Sequence, residues 1–366
     1  MRIAMVAPLI ESVPPRLYGG TERVVSVLTE ELVDRGHQVT LFASGDSRTR
    51  ASLSACCPVG LRLDTEARDT VAATMVQLST VYGRAHEFDV IHNHTDYFAF
   101  PFARMSATPT VTTTHGRLDL AEVRRVYTHF REQNLVSISA AQRLPLPEAN
   151  WVGTAYNGID LSHFTFNAKG GDYLVFLGRI SPEKRPDRAI EVARNLGMRL
   201  LIAAKVDPAD QVYYEHAIAP MIRDCPLVEY IGEVNEQEKN ELLGGAYAYL
   251  FPIDWPEPFG LTMVEAMATG TPVLAYRAGS VPEVIVDGVT GFICETLGQM
   301  VEAVPRIARI SRATCRDHVE KRFSASAMTD AYEEVYERVA GPDTDCESPR
   351  APTEIHMGYG VVRLAG

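Results

Sequence analysis

Glu257 and Glu265 bracket Pro258, Gly260 and an otherwise apolar run in the stretch WPEPFGLTMVE, residues 255–265. On one continuous helix, residues eight apart would sit roughly 80° apart in projection and two turns apart along the axis, so the carboxylates would form no side-by-side pair. Pro256, Pro258 and Gly260 instead favour a loop up to Gly260, with a helix starting near Leu261. Glu257 then stands in the loop and Glu265 on the opening turns of the helix. Between them lie the free N–H groups and the positive end of the helix. That arrangement suits a ligand carrying phosphate together with hydroxyl groups. Carboxylates beside a phosphate are unfavourable by charge alone, so their work would be to accept hydrogen bonds from sugar hydroxyls. The bland alternative is a buried loop and helix whose glutamates merely cap the helix or face water.

A second constellation is FLGRISPEKRP, 176–186. Arg179 and Lys184 fall just beyond a buried strand, in a loop that opens a helix, where fixed positive charge would meet a diphosphate. Either residue alone reads as an ordinary solvated charge. In RLYGGTERV, 16–24, Gly19 and Gly20 let backbone approach a ligand closely. The pattern is not G-x-G-x-x-G, so the dinucleotide fingerprint is absent, and without context it reads as a turn. His115 follows a strand and precedes Gly116, an arrangement that can aim it into a cleft. His92 and His94 flank Asn93 at another strand end and are expected to project to opposite sides. They lack a carboxylate at fixed spacing, so hydrogen-bonded histidines are expected over a metal site. Arg124, Arg125 and Arg131 in EVRRVYTHFR read as a solvated helix face in preference to a small membrane-surface or acceptor-binding patch.

Elements must hold these residues. RIAMVAPL (2–9), QVTLFAS (38–44), FDVIHNH (88–94), TPTVTTTHG (108–116) and NLVSISAAQR (134–143) read as strands or strands with their ends. Helical patterns over 21–36 and 69–85 fall between them, the first ending at Gly36. NGIDLSHFTFNAKGGD, 157–172, reads as a connection, after which the alternation restarts: strands at YLVFLGRI, MRLLIAAKV, VEYIGEV, YAYLFPI and TPVLAYR. The intervening helices include one ending at Gly197 and one opened by a capping box from Asn235 to Glu238. Helical patterns also cover 296–310 and 324–339. Alternation of this kind implies an α/β protein with two Rossmann-like, doubly wound parallel-sheet domains, 1–165 and 166–340, facing across a cleft. The remainder, 341–366, reads as a loosely ordered tail, docked by its last apolar residues.

The 366 residues are 46% hydrophobic and 22% charged, enough for sizeable cores. A net charge of −12 and a pI of about 5.4 exclude bulk nucleic-acid binding, so an anionic ligand needs local positive groups. Cys56, Cys57, Cys225, Cys294, Cys315 and Cys346 form neither a C-x-x-C pair nor zinc spacing, which fits a reducing compartment. The start, MRIAMVAPLI, reads as a first strand and not as a signal peptide, and no apolar run nears the ~20 residues of a membrane span. A cytoplasmic protein is expected.

Taken together, EPFGLTMVEAMATGTPV, GRISPEKRP and GSVPEVIVDGVTGF, supported by YGGTERVV, DVIHNH and FSASAMTDAYEEVY, resemble the family 4 retaining glycosyltransferases (glycosyl transferases group 1) over about residues 1–340. The resemblance implies the two-domain GT-B fold, with an N-terminal acceptor-binding domain and a C-terminal nucleotide-sugar-binding domain. It implies a retaining transfer of a hexose from a UDP- or GDP-hexose to the hydroxyl of a sugar, glycan, lipid or small-molecule acceptor. No metal or separate cofactor is implied. Arg179 and Lys184 would bind the donor diphosphate and stabilise the leaving group. Glu257 would meet the transferred sugar, Phe259, Gly260 and Leu261 would line the donor pocket with their amides, and Glu265 would accept from the ribose. Gly19 and Gly20 would lie near the phosphates or acceptor, His115 near the reacting sugar, and the 231–234 loop with Val234 would border the base. One departure is visible: Arg185 and Pro186 follow Lys184 where many relatives carry glycine, a change that bears on the lysine's reach. A nucleotide-sugar epimerase on the same fold and a non-catalytic nucleotide-sugar-binding protein are the competing readings.

Overall fold

The structure is a computed structural model and describes residues 1–16, 19–65 and 69–341. The tail from 342 onward, including Cys346, lies outside the described residues. Among the described residues, thirteen strands form two sheets. In the first, β1 (Arg2–Val6), β2 (Gln38–Ser44), β3 (Ser52–Cys57), β4 (Val90–Asn93), β5 (Thr110–Thr113), β6 (Asn134–Ser137) and β7 (Trp151–Thr154) stand in the order β3-β2-β1-β4-β5-β6-β7. In the second, β8 (Leu174–Arg179), β9 (Leu200–Lys205), β10 (Val228–Gly232), β11 (Ala248–Phe251), β12 (Val273–Tyr276) and β13 (Gly291–Cys294) stand in the order β10-β9-β8-β11-β12-β13. Every pairing is parallel.

The strands form where the sequence supplies short apolar or β-branched runs that can be buried on both faces. Ile3, Ala4, Met5 and Val6 are all wholly buried in β1, as are Leu174 and Val175 in β8 and Ala248, Tyr249 and Leu250 in β11. Helices cover both faces. Gly20–Asp34 turns Val24, Val25, Leu28 and Leu32 inward and ends at Arg35, after which Gly36 takes φ +86°. In each sheet the strand order reverses beside the first strand, between β1 and β4 and between β8 and β11. Doubly wound sheets bind ligands at the carboxyl ends of strands at such a point. The loops carrying Gly19, His115, Lys184, Val234 and Glu257 all follow carboxyl ends: those of β1, β5, β8, β10 and β11.

The expected two-sheet architecture is present, with some corrections in detail. β3, β7 and β13 were not anticipated, nor was the helix Arg312–Arg322. The segment 324–339 is helical, as Ala325–Ala340, but it does not belong with the second sheet. It packs on the first, where Met328, Tyr332, Val335 and Tyr336 join the core of Ile3, Met5, Leu28 and Val111. The chain therefore crosses between lobes twice. The crossings lie together: Ile159 donates to Phe323 O at 2.9 Å and Ala325 donates to Ile159 O at 3.0 Å. A Cβ at Gly158 would come within 2.5 Å of Ser324 O, so only glycine lets these two strands of chain touch. No described helix is long and apolar enough to cross a membrane. Arg124, Arg125 and Arg131 are exposed on and beside the helix Ala121–His129, while Tyr127 is buried against Phe100.

The swap of the last helix makes a quantitative expectation. Tyr332 is wholly buried and its hydroxyl lies 3.0 Å from Thr113 Oγ1 on β5. Tyr332→Ala should destabilise the protein by about 3–5 kcal/mol in urea unfolding. A loss under about 1 kcal/mol would show that the helix is not part of the first lobe's core.

Candidate active site

A cavity of roughly 550 Å³ lies between the lobes, lined by every residue to which the resemblance gave a role: Gly19, Gly20, His115, Arg179, Lys184, Val234, Glu257, Phe259, Gly260, Leu261 and Glu265; His92, His94, Arg124, Arg125 and Arg131 are not part of its lining. The second lobe supplies one wall. Gly260 takes φ +81°, a left-handed conformation that glycine reaches without steric cost, and the helix Leu261–Ala268 starts directly after it. No side chain among the described residues caps this helix end, so its amides and dipole act on the cavity. Glu257 is 8% exposed; its Oε2 lies 2.5 Å from Lys184 Nζ and accepts from Trp255 Nε1 at 3.0 Å. The Lys184 ammonium also stands 4.8 Å from the centre of the Trp255 ring.

The departure at residue 185 leaves the geometry in place. Arg185 has φ +54° and ψ +52°, the left-handed conformation natural to glycine, at the start of the helix Pro186–Leu196. Its guanidinium is held by Asp187 at 2.7 Å and Asp254 at 2.8 Å. The backbone thus turns as a glycine would, and Lys184 reaches Glu257. Arg179, at the end of β8, bonds Glu183 and has Asp207 at 3.5 Å and Asp210 at 3.6 Å.

The GSVPEV motif has a structural reason. Gly279 takes φ +53°, and a Cβ there would lie 2.2 Å from Glu257 O. Ser280 donates its N–H to Glu257 O at 2.9 Å and its hydroxyl to Phe259 O at 2.8 Å. The segment thus braces the loop that presents Glu257.

The first lobe supplies the other wall. Gly20 approaches the opposite lobe, its Cβ position 3.6 Å from Leu261 Cδ1. His115 is half-buried and its Nε2 lies 2.8 Å from His94 Nδ1. His92 and His94 do not project to opposite sides: their ring centres are 4.0 Å apart. Strand side chains alternate with period two, so residues i and i+2 share a face. His92 is satisfied on both nitrogens, by Tyr336 Oη and Thr113 Oγ1, each at 2.7 Å. No group of three or more His, Cys, Asp or Glu suited to a metal occurs among the described residues.

Several cavity residues escaped the sequence reading: Glu11, Glu22, Arg23, Arg62, Lys205, Lys239 and Trp255. Glu11 pairs with Arg62 at 2.6 Å, and Arg23 of the first lobe pairs with Glu236 of the second. Lys239 alone left a trace: it sits at i, i+3, i+4 spacing with Leu242 and Leu243, a lysine on an apolar stripe.

Comparison with known proteins agrees with the fold. Residues 18–163 match the family described as Glycosyltransferase Family 4, and residues 160–322 match Glycosyl transferases group 1. The fold, the cleft and this pair of matches define a resemblance to the GT-B glycosyltransferases, and glycosyltransferase is the activity the relatives share. The glycogen synthase of Mycobacterium tuberculosis is 27% identical over 397 residues, spanning 92% of this chain and 94% of that protein. The phosphatidyl-myo-inositol mannosyltransferase of Mycolicibacterium smegmatis is 24% identical over 93% of this chain and 95% of that protein. Among solved structures, an Anabaena protein in complex with UDP and glucose superposes with a TM-score of 0.73 at 17% identity, covering 92% of this chain and all of that one. Sucrose-phosphate synthase from Thermosynechococcus elongatus does so at 0.74 and 17%, covering 92% and 98%. At those identities the likeness is one of fold.

The histidine cluster makes stability depend on pH. Burial lowers the pKa of His92 to about 3, of His94 well below its ordinary value, and of His115 to about 4. Unfolding frees all three to protonate, so their contribution is complete above about pH 6.5 and is lost as pH falls toward 4. Asp96, raised to about 6 by burial, works in the opposite sense, since the folded state keeps a proton that the unfolded chain releases between about pH 4 and 6. Within this cluster three groups stand against one, so its net contribution falls between pH 6 and 5, by about 1.4 kcal/mol per pH unit; His318, lowered by burial, adds to the loss, and Glu11 and Glu22, raised by burial, oppose it. Urea midpoints at pH 7.5, 6 and 5 check this; a flat profile would contradict the neutral, buried cluster.

Proposed function

We propose that the protein is a retaining glycosyltransferase that moves a hexose from a nucleoside diphosphate sugar to an acceptor hydroxyl, at the cleft and without a metal. The supporting observation is the convergence of Arg179, Lys184, Glu257 and the open N-terminus of Leu261–Ala268 on one cavity. A nucleoside diphosphate sugar presents an anionic middle between two hydroxyl-rich ends. The wall offers cations and amides for the middle and carboxylates for the ends, Glu257 for the hexose and Glu265 for the ribose. Val234 borders the base. The donor is a UDP- or GDP-hexose.

In this reading Arg179 and Lys184 exchange their carboxylate partners for diphosphate oxygens as the donor enters. As the bond from sugar to phosphate lengthens, negative charge builds on the departing oxygen, and these cations and the helix end stabilise it. The acceptor hydroxyl enters from the same face, and its proton passes to the departing phosphate oxygen. The configuration at the transferred carbon is thereby kept. His115, neutral at working pH, stands beside the hexose as a hydrogen-bonding group. The lobes' apposition excludes water and limits hydrolysis of the donor. The loops of the first lobe admit the acceptor, a sugar, glycan, lipid or small molecule bearing a hydroxyl.

Nucleotide release and sugar transfer across a panel of UDP- and GDP-hexoses test the reading, with the product's anomeric configuration read by proton NMR. Arg179→Ala, Lys184→Ala and Glu257→Ala should each lower the turnover of the preferred donor by about 10²–10³-fold while remaining folded. Folded variants with undiminished rates, or a product of inverted configuration, would overturn it.

A further inference from the structure

Lys239 belongs to the helix Glu236–Gly244, which lies beside Leu261–Ala268 in the second lobe. Its Nζ is 2.5 Å from Glu265 Oε1, and both residues line the cavity. Glu265 is 3% exposed, and the ammonium of Lys239 also lies 5.7 Å from the centre of the Phe164 ring. Removal from water weakens the lysine's hold on its proton, and the carboxylate beside it works to restore it. A charge so enclosed persists through its partner, so the pair acts as a unit. The other charges at this corner are Arg23, which comes from the first lobe and feels the charge of Glu265, and Glu236, to which Arg23 is paired.

A glutamate has three side-chain torsions, and a carboxylate at a ligand site reads hydroxyls well only when those torsions are fixed. The Glu265 carboxylate is fixed through one oxygen by Lys239. We propose that Lys239 is a positioning residue for nucleotide recognition: by holding Glu265 Oε1 it orients the carboxylate that accepts from the ribose hydroxyls of the donor. The inference rests on the transferase reading. It makes the choice of ribose over deoxyribose depend on a lysine that does not itself contact the sugar.

Calorimetric titration with UDP, GDP and ADP, then with the 2′-deoxy counterpart of the tightest binder, tests this on the full chain. The wild type should favour the ribonucleotide by roughly tenfold, the size of one charge-assisted hydrogen bond. Lys239→Met should bring that preference close to parity, as should Glu265→Gln, whereas Lys239→Arg should keep it. The ratio of the two affinities is the readout, because a general disturbance of the cleft, or the altered charge in it, weakens or strengthens the ribonucleotide and its deoxy counterpart alike. Should Lys239→Met fail to fold, Lys239→Gln takes its place. Retention of the full preference in a folded Met or Gln variant, absence of any preference in the wild type, or loss of the preference in Lys239→Arg would each overturn the inference. Failure of every nucleoside diphosphate to bind would instead overturn the transferase reading, and this inference with it.

Discussion

The wall that carries Glu257 depends on one steric allowance. The backbone of residues 256–257 passes so close to residue 279 that a Cβ there would stand 2.2 Å from Glu257 O, and Gly279 alone permits the approach. Ser280 then holds the same loop at Glu257 O and Phe259 O. The loop after β8 is tied to it in turn, because Asp254 donates its N–H to Glu183 O at 2.8 Å. Two strand ends, each suited to an anion, are thereby fixed against one another. The positions of Lys184 and Glu257 follow from that fixing. Groups held this way need little rearrangement when charge develops between them.

Charge is arranged locally against the trend of the whole. A chain of net charge −12 repels an anionic ligand at long range, so attraction has to come from groups at contact distance. Here the cations are kept in register by carboxylates: Glu257 on Lys184, and Glu183, Asp207 and Asp210 around Arg179. Ion pairs of this depth add little net stability, and their use is to hold direction. Contacts across the lobes serve the same end. The Glu283 carboxylate accepts from the N–H groups of Ala140 and Ala141 at 2.7 and 2.8 Å and from Tyr156 Oη at 3.0 Å.

The parts legible in sequence were those where a local rule and the tertiary fold agree. The helix start at Leu261 follows from Gly260 and two prolines, and β2 matches its apolar run residue for residue. Where only tertiary contact decides, the sequence was silent. β3, SLSACC, is an edge strand in which no residue is buried, so no inward face marks it. In Arg312–Arg322 only Cys315 and Val319 are buried, too few to mark an apolar face. The last helix declares its apolar stripe but not the sheet it packs on, so its return to the first lobe could not be read. The placing of His92 and His94 on opposite sides was an error of period, which the strand's own alternation corrects. Lys239 shares a helical stripe with Leu242 and Leu243, but only the fold shows that Glu265 is its partner.

The most direct test is a crystal structure of the protein with the nucleoside diphosphate it binds most tightly. The diphosphate is expected at the start of Leu261–Ala268, within hydrogen-bond distance of Arg179 and Lys184, with the ribose beside Glu265. A nucleotide seated elsewhere, with Lys184 still closed on Glu257, would contradict the account.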